Sequence, residues 1–185
     1  MSVYSKPNSF SLDSAHVTTA VMSFASLNSV VPSKLTTAEK TTLEAKSINT
    51  FRRYAGSNVT CDGKVLAGEW IDVIRFRDWL KAEMQIRVFN VLKQNKKVPY
   101  TDGGIGLVEG AMEATLKAGQ EIGGIALTEY DAEENEIPGF KVIVPTASSL
   151  TEAERKSRKI SGCRWTARLA GAIHIVDPIE GYLTF

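Results

Sequence analysis

The sequence predicts an α+β fold: a mainly antiparallel sheet packed against two long helices, with extended terminal arms. Three observations carry this. Between Glu69 and Gln120 apolar residues recur at steps of three and four, in two runs separated by Pro99. Strand-like segments flank that stretch, Thr50–Leu66 before it and Gly139–Pro145 after it. Finally, RWTARLAGAIHIVDPIEGYLTF, Arg164–Phe185, alternates, turns at Asp177-Pro178 and alternates again to Phe185. A strand left bare at its edge must pair, in its own sheet or in a neighbour's.

Taken in order, Met1–Ser11 is polar and Ser-rich, contains Pro7, and reads as a loose arm. Asp13 or Ser14 caps a helix expected to run to about Leu27 on Val17, Val21 and Phe24. Pro32 breaks the chain. Thr36 and Glu39 have the spacing of a capping box, opening a short helix to about Ile48. Thr50–Ala55 and Asn58–Leu66 read as two strands, the second with a turn at Asp62-Gly63.

The helix Glu69–Gln94 places Val73, Phe76, Leu80, Met84, Val88 and Val91 on one face. Trp70, Trp79, Ile86, Phe89 and Leu92 widen that face, so it is expected to pack against more than one neighbour. Lys93, Lys96 and Lys97 complement the negative end of its dipole. Thr101-Asp102 then caps a helix to about Gln120 with the stripe Ile105, Val108, Met112 and Leu116, ended by Gly123-Gly124.

Ile125–Tyr130 reads as a strand, Asp131–Glu136 as an acidic turn or loop, and FKVIVP as a buried strand. Ser149 and Glu152 have capping-box spacing and open a charged helix to about Lys159. The chain thus divides into an N-terminal arm and weak helix (1–32), a core domain (33–176) and a C-terminal strand arm (177–185).

The chain has 185 residues, enough to bury a core as one domain. Lys plus Arg number 22 and Asp plus Glu 21, so no broad cationic face for nucleic acid is expected. Cys61 and Cys163 make no disulfide framework and are expected to be free thiols in a reducing compartment. Asn58-Val59-Thr60 fits a glycosylation sequon, but the first thirty residues lack the pattern of a signal peptide. No uninterrupted apolar stretch is long enough for a membrane span.

No constellation of catalytic, cofactor or metal-binding residues emerges, and no enzyme is expected. The histidines are His16 and His174 alone, too few for a zinc site at workable spacing. Cys163 and His174 are the only Cys–His pair on neighbouring segments, and eleven extended residues span about 35 Å. Asp102–Gly106 lacks the lysine and the preceding strand of a phosphate loop and reads as a helix entry. Glu69 and Asp72 lie where a helix dipole accounts for them. Asp78 lies off their face, and Arg75 and Arg77 are expected in surface or intersubunit pairs.

Several blocks together are similar to a known family: KLTTAEKTTLEAKSIN, GEWIDVIRFRDWLKAEMQIRVFNVL, KKVPYTDGGIGLVEGAMEATL and RWTARLAGAIHIVDPIEGYLTF. In this order they resemble the C-terminal half of sheath-like proteins of contractile-tailed phages. The resemblance covers roughly Ser33–Phe185, with the Asp72…Asp78-Trp79-Leu80 helix, the Val98–Asp102 break and the Gly181-centred ending its most specific pieces. It implies a virion structural protein that stacks as helical rings around a tail tube and contracts. It also implies partners: further copies, the tube protein, and baseplate and terminator proteins. The implied location is the virion tail, assembled in a bacterial host cytoplasm. Members are usually much longer, with an outer domain before the block matching Ser33, so the chain is expected to be a fragment or a reduced relative.

In that family, terminal arms add strands to adjacent subunits' sheets. Carried onto this sequence, the subunit interface would use Arg164, Trp165 and Arg168 on the leading strand. The arm would be Ile179, Glu180, Gly181, Tyr182, Leu183, Thr184 and Phe185. Ile179, Leu183 and Phe185 share one face with Gly181, each able to contribute roughly 1.5–3 kcal/mol when fully buried. The competing expectations are another tail component, such as a terminator or baseplate adaptor, and a small hydrolase or transferase with an unrecognised site.

Overall fold

A computed structural model of the chain describes residues 27, 29–54 and 56–173. The expected first helix, His16, His174 and the arm Ile179–Phe185 lie outside the described residues. The first described helix, α1 (Thr37–Ala45), begins at the expected capping box: the Thr36 hydroxyl accepts from the Glu39 N–H, and the Glu39 carboxylate accepts from the Thr36 N–H. The hairpin β1 (Thr50–Tyr54) and β2 (Ser57–Cys61) follows, pairing Thr50 with Cys61 and Tyr54 with Ser57. Arg52 ties it to α1 through Glu44 at 2.8 Å.

The two long helices are α2 (Ile71–Gln94) and α3 (Asp102–Glu121). They pack on each other, joined by the Pro99 break, with Thr101 Oγ1 accepting the Gly104 N–H as the α3 cap. Ile105, Val108, Met112 and Leu116 are all buried, as the stripe predicts. On α2 only Phe76, Trp79 and Leu80 reach that depth, and they form the core with Leu116 and Ile125. The Phe76 and Trp79 rings stack with centroids 5.8 Å apart. Ile86, Phe89 and Leu92 remain about half exposed or more, at 49%, 62% and 55%. Among the described residues, therefore, no second neighbour covers the far half of the α2 face.

After α3 come the short pair β3 (Glu129–Tyr130) and β4 (Glu136–Ile137), then β5 (Phe140–Ile143). A 3-10 turn (Ala147–Ser149), the helix α4 (Glu152–Ser157) and β6 (Arg164–Ala167) complete the described elements. Among the described residues all pairing is antiparallel, but it is divided among three two-stranded ladders, β1–β2, β3–β4 and β5–β6. Several local expectations shift. FKVIVP forms a strand, but its residues alternate between half-buried and exposed instead of being buried, because one face of the ladder meets solvent. The second strand of the first hairpin ends at Cys61, short of the expected Leu66. Of Ile125–Tyr130 only the last two residues are strand, because Ile125 turns inward, 1% exposed, and bridges Leu169 alone. The second capping box is Thr151 with Glu154, not Ser149 with Glu152: Ser149 is used up in the 3-10 turn, where its hydroxyl donates to the Thr146 carbonyl.

Helix α3 gives the molecule two ends, about 30 Å apart at 1.5 Å per residue. At its N-terminal end the Asp102 carboxylate accepts from the Ala147 N–H at 2.7 Å, fixing the turn before α4. At its C-terminal end Gln120 donates to the Ala126 carbonyl at 2.8 Å, and Gly139 lies against both. The β5 strand leads from the second end back to the first, and β6 returns.

Candidate assembly interface

The sequence placed the interface on the strand now seen as β6. It pairs with β5 in the register Phe140–Ala167, Lys141–Thr166, Val142–Trp165 and Ile143–Arg164. Directly opposed residues share a face. Phe140, Val142 and Ala167 turn toward the core formed by α2 and α3. Trp165 belongs to that face at its rim, 37% exposed. Arg164 lies on the other face with Lys141, Ile143 and Thr166. Period-2 alternation thus puts Arg164 and Trp165 on opposite sides of the ladder, both solvent-accessible.

Edges matter more than faces for strand addition. The Arg168 N–H donates to the Gly139 carbonyl at 2.8 Å, so Gly139 and Arg168 are a hydrogen-bonded pair. Antiparallel alternation then aims the N–H and C=O groups of Trp165 and Ala167 away from β5. Those of Phe140 and Val142 point away from β6. Among the described residues neither outer edge of this ladder has a strand partner. An unpaired edge next to a core-facing apolar surface is a template for another strand.

Beyond β6 the chain is locked. The Arg168 carbonyl accepts the Ala126 N–H at 2.8 Å, and the Ala170 N–H donates to the Gly124 carbonyl at 3.1 Å. The Arg168 guanidinium spans Glu129 Oε2 at 2.7 Å and the Leu127 carbonyl at 3.0 Å. Arg168 is therefore engaged inside the chain, fixing the root of the β3–β4 hairpin to the end of β6. No sequence spacing signalled that clamp, because its partners lie about forty positions apart. The remaining interface expectations, Ile179, Glu180, Gly181, Tyr182, Leu183, Thr184 and Phe185, lie outside the described residues.

The chemical candidates are each engaged in packing or local bonding. Gly104 lies in the candidate phosphate loop, but a β-carbon there would fall 2.1 Å from the Pro99 carbonyl oxygen, so close packing of the α2–α3 junction requires it. The Asp102 carboxylate is taken up by Ala147. Cys61 is buried, with its sulfur 3.1 Å from Arg52 Nε; Cys163 is free, and burial pushes its thiol above the ordinary range, away from the reactive thiolate. Arg77 pairs with its neighbour Asp78 at 3.2 Å on the surface. Among the described residues no group of three or more His, Cys, Asp or Glu is placed to hold a metal. No helix among them is long and apolar enough to cross a membrane.

The model of the E217 tail sheath protein gp31-like C-terminal domain matches residues 71–181. The chain belongs to this tail sheath family. The match begins where α2 begins and runs through α3, the β3–β4 hairpin and the β5–β6 ladder. It is a family of structural sheath proteins. Two solved structures share the fold. A chain of the anti-feeding prophage baseplate, six-fold symmetrised, matches at TM-score 0.59 and 19% identity. The helical sheath of the same prophage in the contracted state matches at TM-score 0.57 and 16% identity. Each comparison covers 88% of this chain but only 43% and 44% of the solved ones, so the chain spans less than half their length. No curated protein matches.

Proposed function

We propose that the chain is a structural subunit, or the conserved segment of one, of a contractile phage tail sheath. Copies polymerise around the tail tube by exchanging strands: the arm Ile179–Phe185 of one copy adds to the bare edge of the β5–β6 ladder in the next. The observation that carries this reading is the family match over residues 71–181, which takes in the helix pair and the ladder with its unpaired edges.

Strand addition suits an assembly that must move without falling apart. Main-chain ladder bonds supply affinity that does not depend on domain orientation, and alternate side chains fix register. Gly171, with φ +70, and Asp177-Pro178 are natural joints between ladder and arm. One arm with three apolar side chains is a modest contact, and repetition around a ring makes the lattice firm. The further partners are the tube protein and the baseplate and terminator proteins at the two ends, and the location is the tail of the particle.

A second reading, a baseplate or terminator component, draws on the fold shared with a baseplate chain. Negative-stain microscopy of the purified full chain separates the two. Helical rings that stack into tubes are expected of a sheath, whereas one closed ring favours the second reading. A chain that stays monomeric at every concentration contradicts both.

A further inference from the structure

The net charge of +1 hides a separation of charge along α3. At its N-terminal end lie Lys96, Lys97, Arg158 and Lys159, all exposed and none in an ion pair among the described residues. They border an open groove of about 910 Å³ whose lining includes Lys96, Lys97, Arg155 and Arg158 and no carboxylate. Its floor is apolar, formed by Leu92, Val98, Pro99, Ile105, Val108 and Ile160. One wall is tied together by Arg155, which sits 5.8 Å over the Tyr100 ring and donates to the Tyr100 and Ala147 carbonyls.

At the other end stands the β3–β4 hairpin. Residues 127–138 carry Glu129, Asp131, Glu133, Glu134 and Glu136 and no Lys or Arg. Glu129 is held by Arg168, and the Asp131 carboxylate closes the turn on the Glu133 and Asn135 N–H groups. Glu133, Glu134 and Glu136 stay exposed and form no ion pair among the described residues. Tyr130 stands among these acids, 68% exposed. The hairpin thus offers an acidic rim around an aromatic side chain, and the groove a basic rim around an apolar floor.

We propose that the groove receives the β3–β4 hairpin of a second copy, a head-to-tail contact separate from strand exchange. The hairpin cannot fill its own groove. The ends of α3 are about 30 Å apart, several times the roughly 8 Å screening length at physiological salt. A contact between two different patches of identical chains repeats in one direction, giving a ring or a helical filament rather than a closed pair. Charge complementarity between the patches sets the register and steers the encounter.

Charge reversal tests this with the full chain. Lys96→Glu, Lys97→Glu and Arg158→Glu together leave both ends net acidic, and Glu133→Lys, Glu134→Lys and Glu136→Lys together leave both net basic. Sedimentation velocity at low salt is expected to show wild-type association that weakens as salt is added. Each reversed variant alone is expected to lose about tenfold or more in self-affinity, and an equimolar mixture to regain it, since every contact is then again between opposite charges. Circular dichroism confirms that both variants fold. A mixture of two folded variants that stays dissociated overturns the proposal. So does either variant associating alone as well as wild type, an outcome that leaves the strand-exchange reading standing.

Discussion

Phe76 lies directly against the backbone of Gly124: a β-carbon on that glycine would fall 2.2 Å from Cε2 of the ring. The contact joins α2 to the turn after α3, where Gly124 also accepts the Ala170 N–H that follows β6. One glycine thus connects the helix pair to the segment that follows β6. Gly124→Ala must push the ring aside, and is expected to destabilise the fold by about 1–3 kcal/mol. Phe76→Ala leaves a cavity among Trp79, Leu80, Leu116 and Ile125 and is expected to cost about 3–5 kcal/mol. Urea denaturation measures both. A neutral Gly124→Ala would show that the ring is not held there.

Arg168→Lys is expected to loosen the β3–β4 hairpin while leaving the core intact. A lysine cannot span the Glu129 carboxylate and the Leu127 carbonyl as the guanidinium fork does. The ion pair is largely solvent-accessible, so the global cost is about 1 kcal/mol or less. The clearer readout is amide exchange: the Asp131 N–H, bonded to the Asn135 carbonyl, should exchange faster. Unchanged protection there would show that Arg168 does not hold the hairpin.

Acid should weaken two surface turns before it reaches the core. The Ser161 hydroxyl first, then the Thr151 N–H and hydroxyl, hold the Glu154 carboxyl below its usual range. The Asn135 side chain and backbone do the same for Asp131. A depressed folded-state pKa means stability that is present above the ordinary carboxylate range, about 4, and lost as pH falls through the lower folded values. NMR titration should show α4 and the hairpin turn loosening in that window. Thr151→Ala should move Glu154 back toward its ordinary titration and reduce the acid sensitivity of α4. An ordinary Glu154 titration in the wild-type chain would contradict this.

Where local chemistry fixes local structure, the sequence was readable. The Thr36–Glu39 capping box, the α3 stripe and the Pro99 break appear in the structure as their spacing predicts. Ser149–Glu152 and Thr151–Glu154 both fit the capping-box pattern, and the 3-10 turn that takes up Ser149 decided between them. The half-exposed Ile86 and Phe89 were indistinguishable from core by period alone, because periodicity reports a face and not what covers it. The Arg168 clamp and the division of pairing into three ladders depend on contacts between distant segments, which no local pattern encodes. The family resemblance supplied the link that residue chemistry lacked.

The central claim is that copies of this chain join by strand exchange through Ile179–Phe185. It is tested most directly by mixing full-length chain with chain ending at Pro178, and following assembly by light scattering and negative-stain microscopy. The account predicts that the shortened chain keeps the wild-type circular dichroism and unfolding midpoint yet builds no tubes alone. Added to full-length subunits, it should cap their growth. Shortened chains that polymerise as readily as the full chain would contradict it.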